Sequence, residues 1–263
     1  MGAKARAWLN RGLVVLAVVL GAWLVVELPV VPAWAKAAVL VVGAVVGMMV
    51  AFRLIPAFDP LGRIHWRLVR RDRRVCAISF DDGPSAATPR VLEILACLQV
   101  KATFFVLADN ARRHPEALRA TAEQGHTIAV HGTTHTKLHH ASEAQIEREL
   151  STAVRELSEL GVSPAHLYRS PHGLKNAALF RVARRLGFQV WAWSRGIWDT
   201  DRPRPEVLVR RATRFACSGM VLLLHDGRGN EESPNIEPML SALPQILERL
   251  RSRGFDFVTL DRT

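Results

Sequence analysis

The pattern of apolar and polar positions changes near residue 55. Before it, apolar residues run almost without a break. After it, short apolar runs alternate with stretches whose apolar positions recur every three or four residues. The first apolar run spans residues 12–31 and is interrupted only by Glu27; the second spans 33–55, with Lys36 and Arg53 its only charges. Each approaches the roughly 20 residues a helix needs to cross a hydrocarbon core. Pro29 and Pro32 lie at the junction, so the two runs predict a helical hairpin. Its uncharged cores, 12–26 and 37–52, are short, so it crosses the bilayer or dips into one leaflet. Ala33-Trp34-Ala35 also fits a small-x-small signal cleavage site, but cleavage there leaves the second run intact.

From residue 75 the runs have strand length: 75–80, 102–107, 127–130, 166–169, 188–193, 219–224 and 255–258. Helical periodicity fills the intervals. It is clearest at 142–160, where Ser142 fits an N-cap, and at 237–251, where Leu240, Leu243, Ile246, Leu247 and Leu250 share a face. Seven strands alternating with helices predict a parallel sheet, open or closed into a barrel. The expected organisation is a membrane hairpin (1–55), a basic juxtamembrane linker (56–74) and one domain (75–263).

Charge sharpens this division. The net charge is +11, and residues 1–74 hold eleven Lys/Arg against three acids, which is +8 of it. A basic excess at the membrane end favours anionic lipid headgroups over nucleic acid as partner. The single Tyr and the absence of any nucleic-acid motif agree. Lys4, Arg6 and Arg11 precede the first run, and Arg53 near the end of the second is followed by Arg63 and Arg67, so the positive-inside rule puts both ends, and the domain, in the cytoplasm. Cys76, Cys97 and Cys217 form no CxxC or zinc framework.

The reactive side chains fall where the runs end. Ser79-Phe80-Asp81-Asp82-Gly83-Pro84 closes the first strand. Adjacent carboxylates there point apart, so one can bind a metal while the other stays free as a base; a helix N-cap or turn pair is the plainer use of such a run. His131-Gly132-Thr133-Thr134-His135 places two imidazoles four residues apart, which on a helical turn would meet at one point. One Asp and two His make a three-ligand set that leaves a position open for water, as catalytic zinc sites do. His139 and His140 read as surface residues. Arg169, Asp199 and His225 follow later strands, and in a parallel barrel all these ends share one face.

These motifs resemble the polysaccharide deacetylase family of carbohydrate esterases. The resemblance rests on residues 79–84, on His131–His135, on Arg169-Ser170-Pro171-His172-Gly173 and on Leu222-Leu223-Leu224-His225. It departs at Gly132, where the family usually has a hydroxyl residue, at His172, where Tyr is common, and in Trp198-Asp199, which keeps only the second acid of the family's fourth motif. The resemblance implies a distorted, incomplete (β/α)7 barrel behind the hairpin. It implies that Asp82, His131 and His135 bind a divalent metal, with Zn2+ the best fit and Co2+, Ni2+ or Mn2+ alternatives. It further implies Asp81 as general base oriented by Arg169, His225 as general acid held by Asp199, and the main-chain N–H of His172 as oxyanion donor. Trp198 and Leu223 would shape the acyl pocket.

The expected activity is hydrolytic removal of an acyl group, acetyl first, from the nitrogen of an amino sugar. A cytoplasmic, membrane-held domain points to a lipid-linked sugar whose phosphate lies near the Arg-rich segment 63–74. The alternatives are an anchored extracytoplasmic deacetylase of peptidoglycan or chitin-like glycan, and a non-catalytic glycan- or lipid-binding protein. A metalloprotease is disfavoured because no HExxH occurs.

Overall fold

The computed structural model describes residues 32–69 and 73–262, together with Ala17 and Gly21. Apart from those two residues, the first apolar run lies outside the described residues. The second run forms helix α1 (Ala33–Leu54). Its Ala33–Phe52 portion has a mean hydropathy of 2.2 and is 11% buried, so it is long and apolar enough to cross a membrane. Val41, Val42 and Met49 are more than half exposed, as expected of a surface made for lipid rather than for a protein core.

The domain is a curled, parallel sheet wrapped by helices, an incomplete (β/α) barrel. Its strands are β1 (Ile64–His65), β2 (Val75–Asp81), β3 (Thr103–Leu107), β4 (Thr127–Gly132), β5 (Leu167–Tyr168), β6 (Gln189–Trp191), β7 (Arg195–Gly196), β8 (Met220–His225) and β9 (Asp256–Phe257). They lie in the order β1-β6-β5-β4-β3-β2-β8-β7, with β9 on the first residues of β2. All seven apolar runs contain a strand. β1 and β7 were not expected, because neither Ile64–His65 nor Arg195–Gly196 lies in an apolar run.

β1 lies in the stretch expected as a linker. It pairs Ile64 with Val190, and Arg67 then bridges to Met220. Leu68 is buried inside the barrel with Val75, Ala77, Phe105, Trp191 and Val221. Part of the stretch expected as a linker is therefore woven into the sheet.

Alternation along β2 sorts its side chains. Val75 and Ala77 face the barrel interior, while Cys76, Ile78 and Phe80 face the outer layer. That layer is built from α2 (Thr88–Cys97), α3 (Ala108–Arg113), α4 (Pro115–Glu123), α5 (Glu143–Glu159), α6 (Ala177–Arg185), α7 (Pro205–Thr213) and α8 (Glu237–Ser252). Sequence periodicity predicts α5 and α8 within a residue or so. Ser142 caps α5 in a full capping box with Gln145, and Leu243, Ile246, Leu247 and Leu250 of α8 are fully buried.

Candidate active site

The interior row of β2 turns from apolar to polar at its carboxyl end. Ser79 and Asp81 continue the inward series begun by Val75 and Ala77, and both meet Arg169. Arg169 Nη1 donates to Asp81 Oδ1 at 2.6 Å and to Ser79 Oγ at 2.9 Å, and Nη2 donates to the Ala192 carbonyl at 3.0 Å. The guanidinium is 0% exposed and stacks 3.9 Å from the Phe105 ring centroid. Burial lowers its pKa, and the Asp81 carboxylate opposes that shift. A cation so deeply buried is held charged by its partner, and its partner by it.

Asp82 leaves the strand with φ 71, which turns its carboxyl away from Asp81. Asp82 Oδ2 accepts from the Gly229 N–H at 2.8 Å, while Asn110 Nδ2 donates to the Asp82 carbonyl at 2.6 Å and to the Gly229 carbonyl at 2.8 Å. This cage leaves Oδ1 facing two imidazoles, with His131 Nε2 at 3.2 Å and His135 Nε2 at 3.1 Å. His131 Nδ1 lies 2.8 Å from the Arg169 carbonyl, which can only accept, so the proton belongs on Nδ1. A neutral His131 then turns the lone pair of Nε2 toward a carboxylate oxygen. Two such electron-rich atoms face one another stably only when a cation lies between them. These three residues are, among the described residues, the one group whose ligand atoms converge for a metal, all within 4.8 Å of one another. The donor set and its backing carbonyl fit a divalent ion.

The two histidines meet by a different route from the one expected. His131 lies in β4, and His135 sits in the following loop with φ 57, so no helical turn joins them. Gly132 takes φ 115, a conformation closed to residues with a side chain, and Glu149 of α5 accepts from the Thr133 N–H at 2.7 Å. The hydroxyl residue missing at 132 is thus replaced by a glycine turn clamped from α5.

On the opposite side, Asp199 grips His225 twice. Asp199 Oδ1 lies 2.9 Å from His225 Nδ1, and Oδ2 accepts the His225 main-chain N–H at 2.8 Å. Burial alone would lower the imidazole pKa, but the Asp199 charge and hydrogen bond, helped by Asp82 and Asp81, raise it to about 9. Nε2 of His225 therefore carries a proton at neutral pH. A cleft of about 410 Å³ is lined by Asp81, Asp82, His131, His135, His172, Trp198, Leu223 and His225. His172 heads a tight turn at φ 58, with its ring centroid 4.4 Å from that of His135. Among the described residues six non-glycine residues take positive φ, and four of them, Asp82, His135, His172 and Trp198, line this cleft. Backbone strain concentrates where the surrounding structure holds functional groups in place.

The sequence profile described as polysaccharide deacetylase matches residues 69–191. A peptidoglycan-N-acetylglucosamine deacetylase of Bacillus cereus is 33% identical over 205 residues, covering 77% of this chain and 93% of its own. The chain belongs to the polysaccharide deacetylase family. It is a hydrolase of the class that cleaves the amide of N-acetyl sugars. A chitooligosaccharide deacetylase of Rhizobium leguminosarum bv. trifolii is 34% identical over 202 residues, covering 72% of this chain and 91% of its own. A crystal structure of a peptidoglycan N-acetylglucosamine deacetylase shares the fold with a TM-score of 0.72 at 24% identity, covering 78% of this chain and 96% of its own.

Within this deacetylase cleft, sequence reasoning missed several partners. Asn110 and Gly229 sit in runs with no motif, and only the fold shows them around Asp82. Asp226, next to His225, is 1% exposed; Thr88 Oγ1 donates to its Oδ2 at 2.7 Å, and Ser85 Oγ to its carbonyl at 2.5 Å. Burial pushes its carboxyl up to about 7. A buried acid touching a catalytic motif was visible in the sequence, but its role was not. Ile55, Pro56 and Ala57 line the same cleft, although Ile55 was read as the end of the hairpin and Pro56 and Ala57 as linker.

Three arginines of the Arg-rich segment, Arg67, Arg73 and Arg74, lie away from the expected place. Arg67 donates to the Ser218 carbonyl at 2.7 Å, Arg74 to the Arg253 carbonyl at 3.0 Å, and Arg73 pairs with Asp256 at 3.7 Å. These contacts sit at the amino-terminal ends of β2 and β8. At about 3.3 Å per residue, β2 separates them from Asp81 by roughly 20 Å. They do not bind a group presented at the cleft.

Proposed function

We propose that this protein hydrolyses the N-acetyl group of an amino sugar carried by a lipid at the membrane surface, with the catalytic domain facing the cytoplasm. The observation that carries the hydrolytic part is the convergence of Asp82 Oδ1 with two imidazole Nε2 atoms at 3.1 and 3.2 Å, between a carboxylate and a histidine held by a second acid. Asp82, His131 and His135 would hold a divalent ion, for which zinc suits the mixed oxygen and nitrogen donors best. When bound, such an ion polarises the carbonyl and acidifies its water.

The remaining chemistry belongs to the chain's own groups. Asp81, paired with Arg169 and aimed by it, accepts the proton of the attacking water. The His172 main-chain N–H donates to the oxygen that gains charge. His225 gives its Nε2 proton to the departing nitrogen, because an amine leaves only when protonated, and Asp199 holds Nδ1 so that Nε2 points into the cleft. Trp198 and Leu223 bound the space for the acyl methyl.

The lipid-linked reading rests on α1, on the charge flanking the apolar runs and on the cleft's position beside the end of that helix. The relatives' activity on peptidoglycan and chitooligosaccharide supports a second reading, a deacetylase of cell-wall glycan anchored outside the cytoplasm. The test is acetate release by the full chain in detergent, as isolated and after chelation with metal restored. The substrates are an N-acetylglucosaminyl lipid phosphate and a chito-oligosaccharide. Metal-dependent release from the lipid substrate is expected. Release from the oligosaccharide alone would replace this reading with the second, and release from neither would end both.

A further inference from the structure

The apolar helix ends at Leu54, and the next three residues, Ile55, Pro56 and Ala57, form part of the wall of the cleft that holds Asp81, Asp82 and His225. No spacer separates the end of the helix from the site. The junction is also fixed. Lys175, 2% exposed, donates from Nζ to the Ile55 carbonyl at 2.7 Å and to the Pro56 carbonyl at 3.2 Å. Its ammonium is pushed down to about 8 by burial, and it stays bound to these two carbonyls with the Phe52 ring 5.3 Å away. Pro56 packs onto Gly173, the residue after His172, so closely that a Cβ at 173 would lie 2.5 Å from the Pro56 ring and 2.9 Å from Trp193. Before the elbow, Phe52 packs on Phe180 with ring centroids 5.9 Å apart. After it, Arg63 is tied to Asp59 at 2.6 Å and lies 4.1 Å over the Phe180 ring. The elbow is thus clamped on both sides and from beneath.

We infer that Ile55–Ala57 is a substrate-binding wall that receives the lipid-proximal side of a membrane-borne N-acyl amino sugar, so that the anchor helix itself completes the site. This rests on the deacylase reading of the cleft. The physical reason is reach. A rigid elbow holds the cleft at the level where an apolar helix leaves the hydrocarbon, which is where a sugar joined to a lipid through its headgroup is displayed. The elbow also continues the apolar wall of Trp193, Ile197 and Leu223 toward the helix, so an aglycone leaving the cleft on that side meets apolar surface all the way to the bilayer.

The experiment places a cysteine in the elbow. In full-length protein with Cys97→Ser and Cys217→Ser, leaving Cys76 buried, Ile55→Cys is labelled with a charged thiol reagent in vesicles. The labelling rate is compared with and without an N-acetylglucosaminyl lipid phosphate. A Val69→Cys control reports a site 88% exposed. The expected result is at least a tenfold slowing by the lipid substrate at residue 55 and none at residue 69. Acetate release without protection at residue 55 would overturn the inference and leave the deacylase reading standing. Absence of acetate release from every N-acyl sugar tried would overturn that reading and the inference with it. Separately, Ile55→Asp is expected to shift the kcat/KM ratio at least tenfold against the lipid substrate relative to chito-oligosaccharide, mainly through KM. An unchanged ratio would make the elbow a structural brace only.

Discussion

The two ends of the barrel use arginine in opposite ways. At the carboxyl ends of the strands, Arg169 is fully buried and commits its Nη1 and Nη2 groups to Asp81, Ser79 and the Ala192 carbonyl. At the amino ends, Arg67 and Arg74 lie in the solvent and tie down the carbonyls of Ser218 and Arg253. The first arrangement is sustained by mutual dependence, since neither charge tolerates burial without the other. The second merely decorates chain ends that would otherwise bond water. The difference shows that chemistry at one end of this fold comes from desolvation, and that residue type alone does not locate it.

Substitutions at the two ends should separate them widely. Arg169→Met strands the Asp81 carboxylate in a buried place, so it should cost about 3–5 kcal/mol of stability and abolish measurable turnover. Denaturant unfolding and acetate release check the two effects. If Arg169→Met unfolds no more easily than an exposed-arginine variant, the contrast between the ends fails. Next come Asp81→Asn and His225→Ala, each expected to lower kcat by about 10²–10⁴-fold while far-UV circular dichroism stays native; near-normal kcat removes that residue from the mechanism.

Asp199→Asn should act more gently and through pH. With Asp199 in place His225 keeps its proton until pH rises through about 9, so activity dependent on that proton falls on the alkaline side there. Loss of the Asp199 charge moves this limb downward, toward the ordinary value of 6.5, and a pH–rate profile of the variant should show it. An alkaline limb that stays in place would mean that some other group donates the proton. Arg67→Ala, at the far end, should change the melting temperature by no more than about 2 °C and leave kcat within twofold.

Much of this architecture was legible in the chain because strands of a parallel barrel are covered on both faces and therefore read as unbroken apolar runs. The run VCAISF ends in two acids, and the structure puts Asp81 and Asp82 where the barrel interior opens. The limits have physical causes. β1 and β7 carry two residues each, and their pairing depends on distant strands. The spacing of His131 and His135 matched a helical turn by coincidence. The chain instead passes from strand into a glycine turn whose geometry is set by Glu149, sixteen residues away. Asn110 and Lys175 act on main-chain atoms of remote segments, and no local pattern encodes such a partner. The charge excess of residues 1–74 was visible, but three of its arginines, Arg67, Arg73 and Arg74, turn out to serve the floor of the barrel.

The position of β1 bears on the order in which the molecule is made. It is the first strand to be synthesised and stands at an edge of the sheet, yet its partner, β6, is translated only after most of the barrel, and the Arg67–Met220 bridge waits longer still. Such distant contacts are slow to form because the closing loop is long. If the apolar helix enters a bilayer first, as the proposed function has it, Ile64 and His65 would be held beside the membrane as a waiting template. The seam between the apolar helix and the barrel would close only once β6 and β8 have been made.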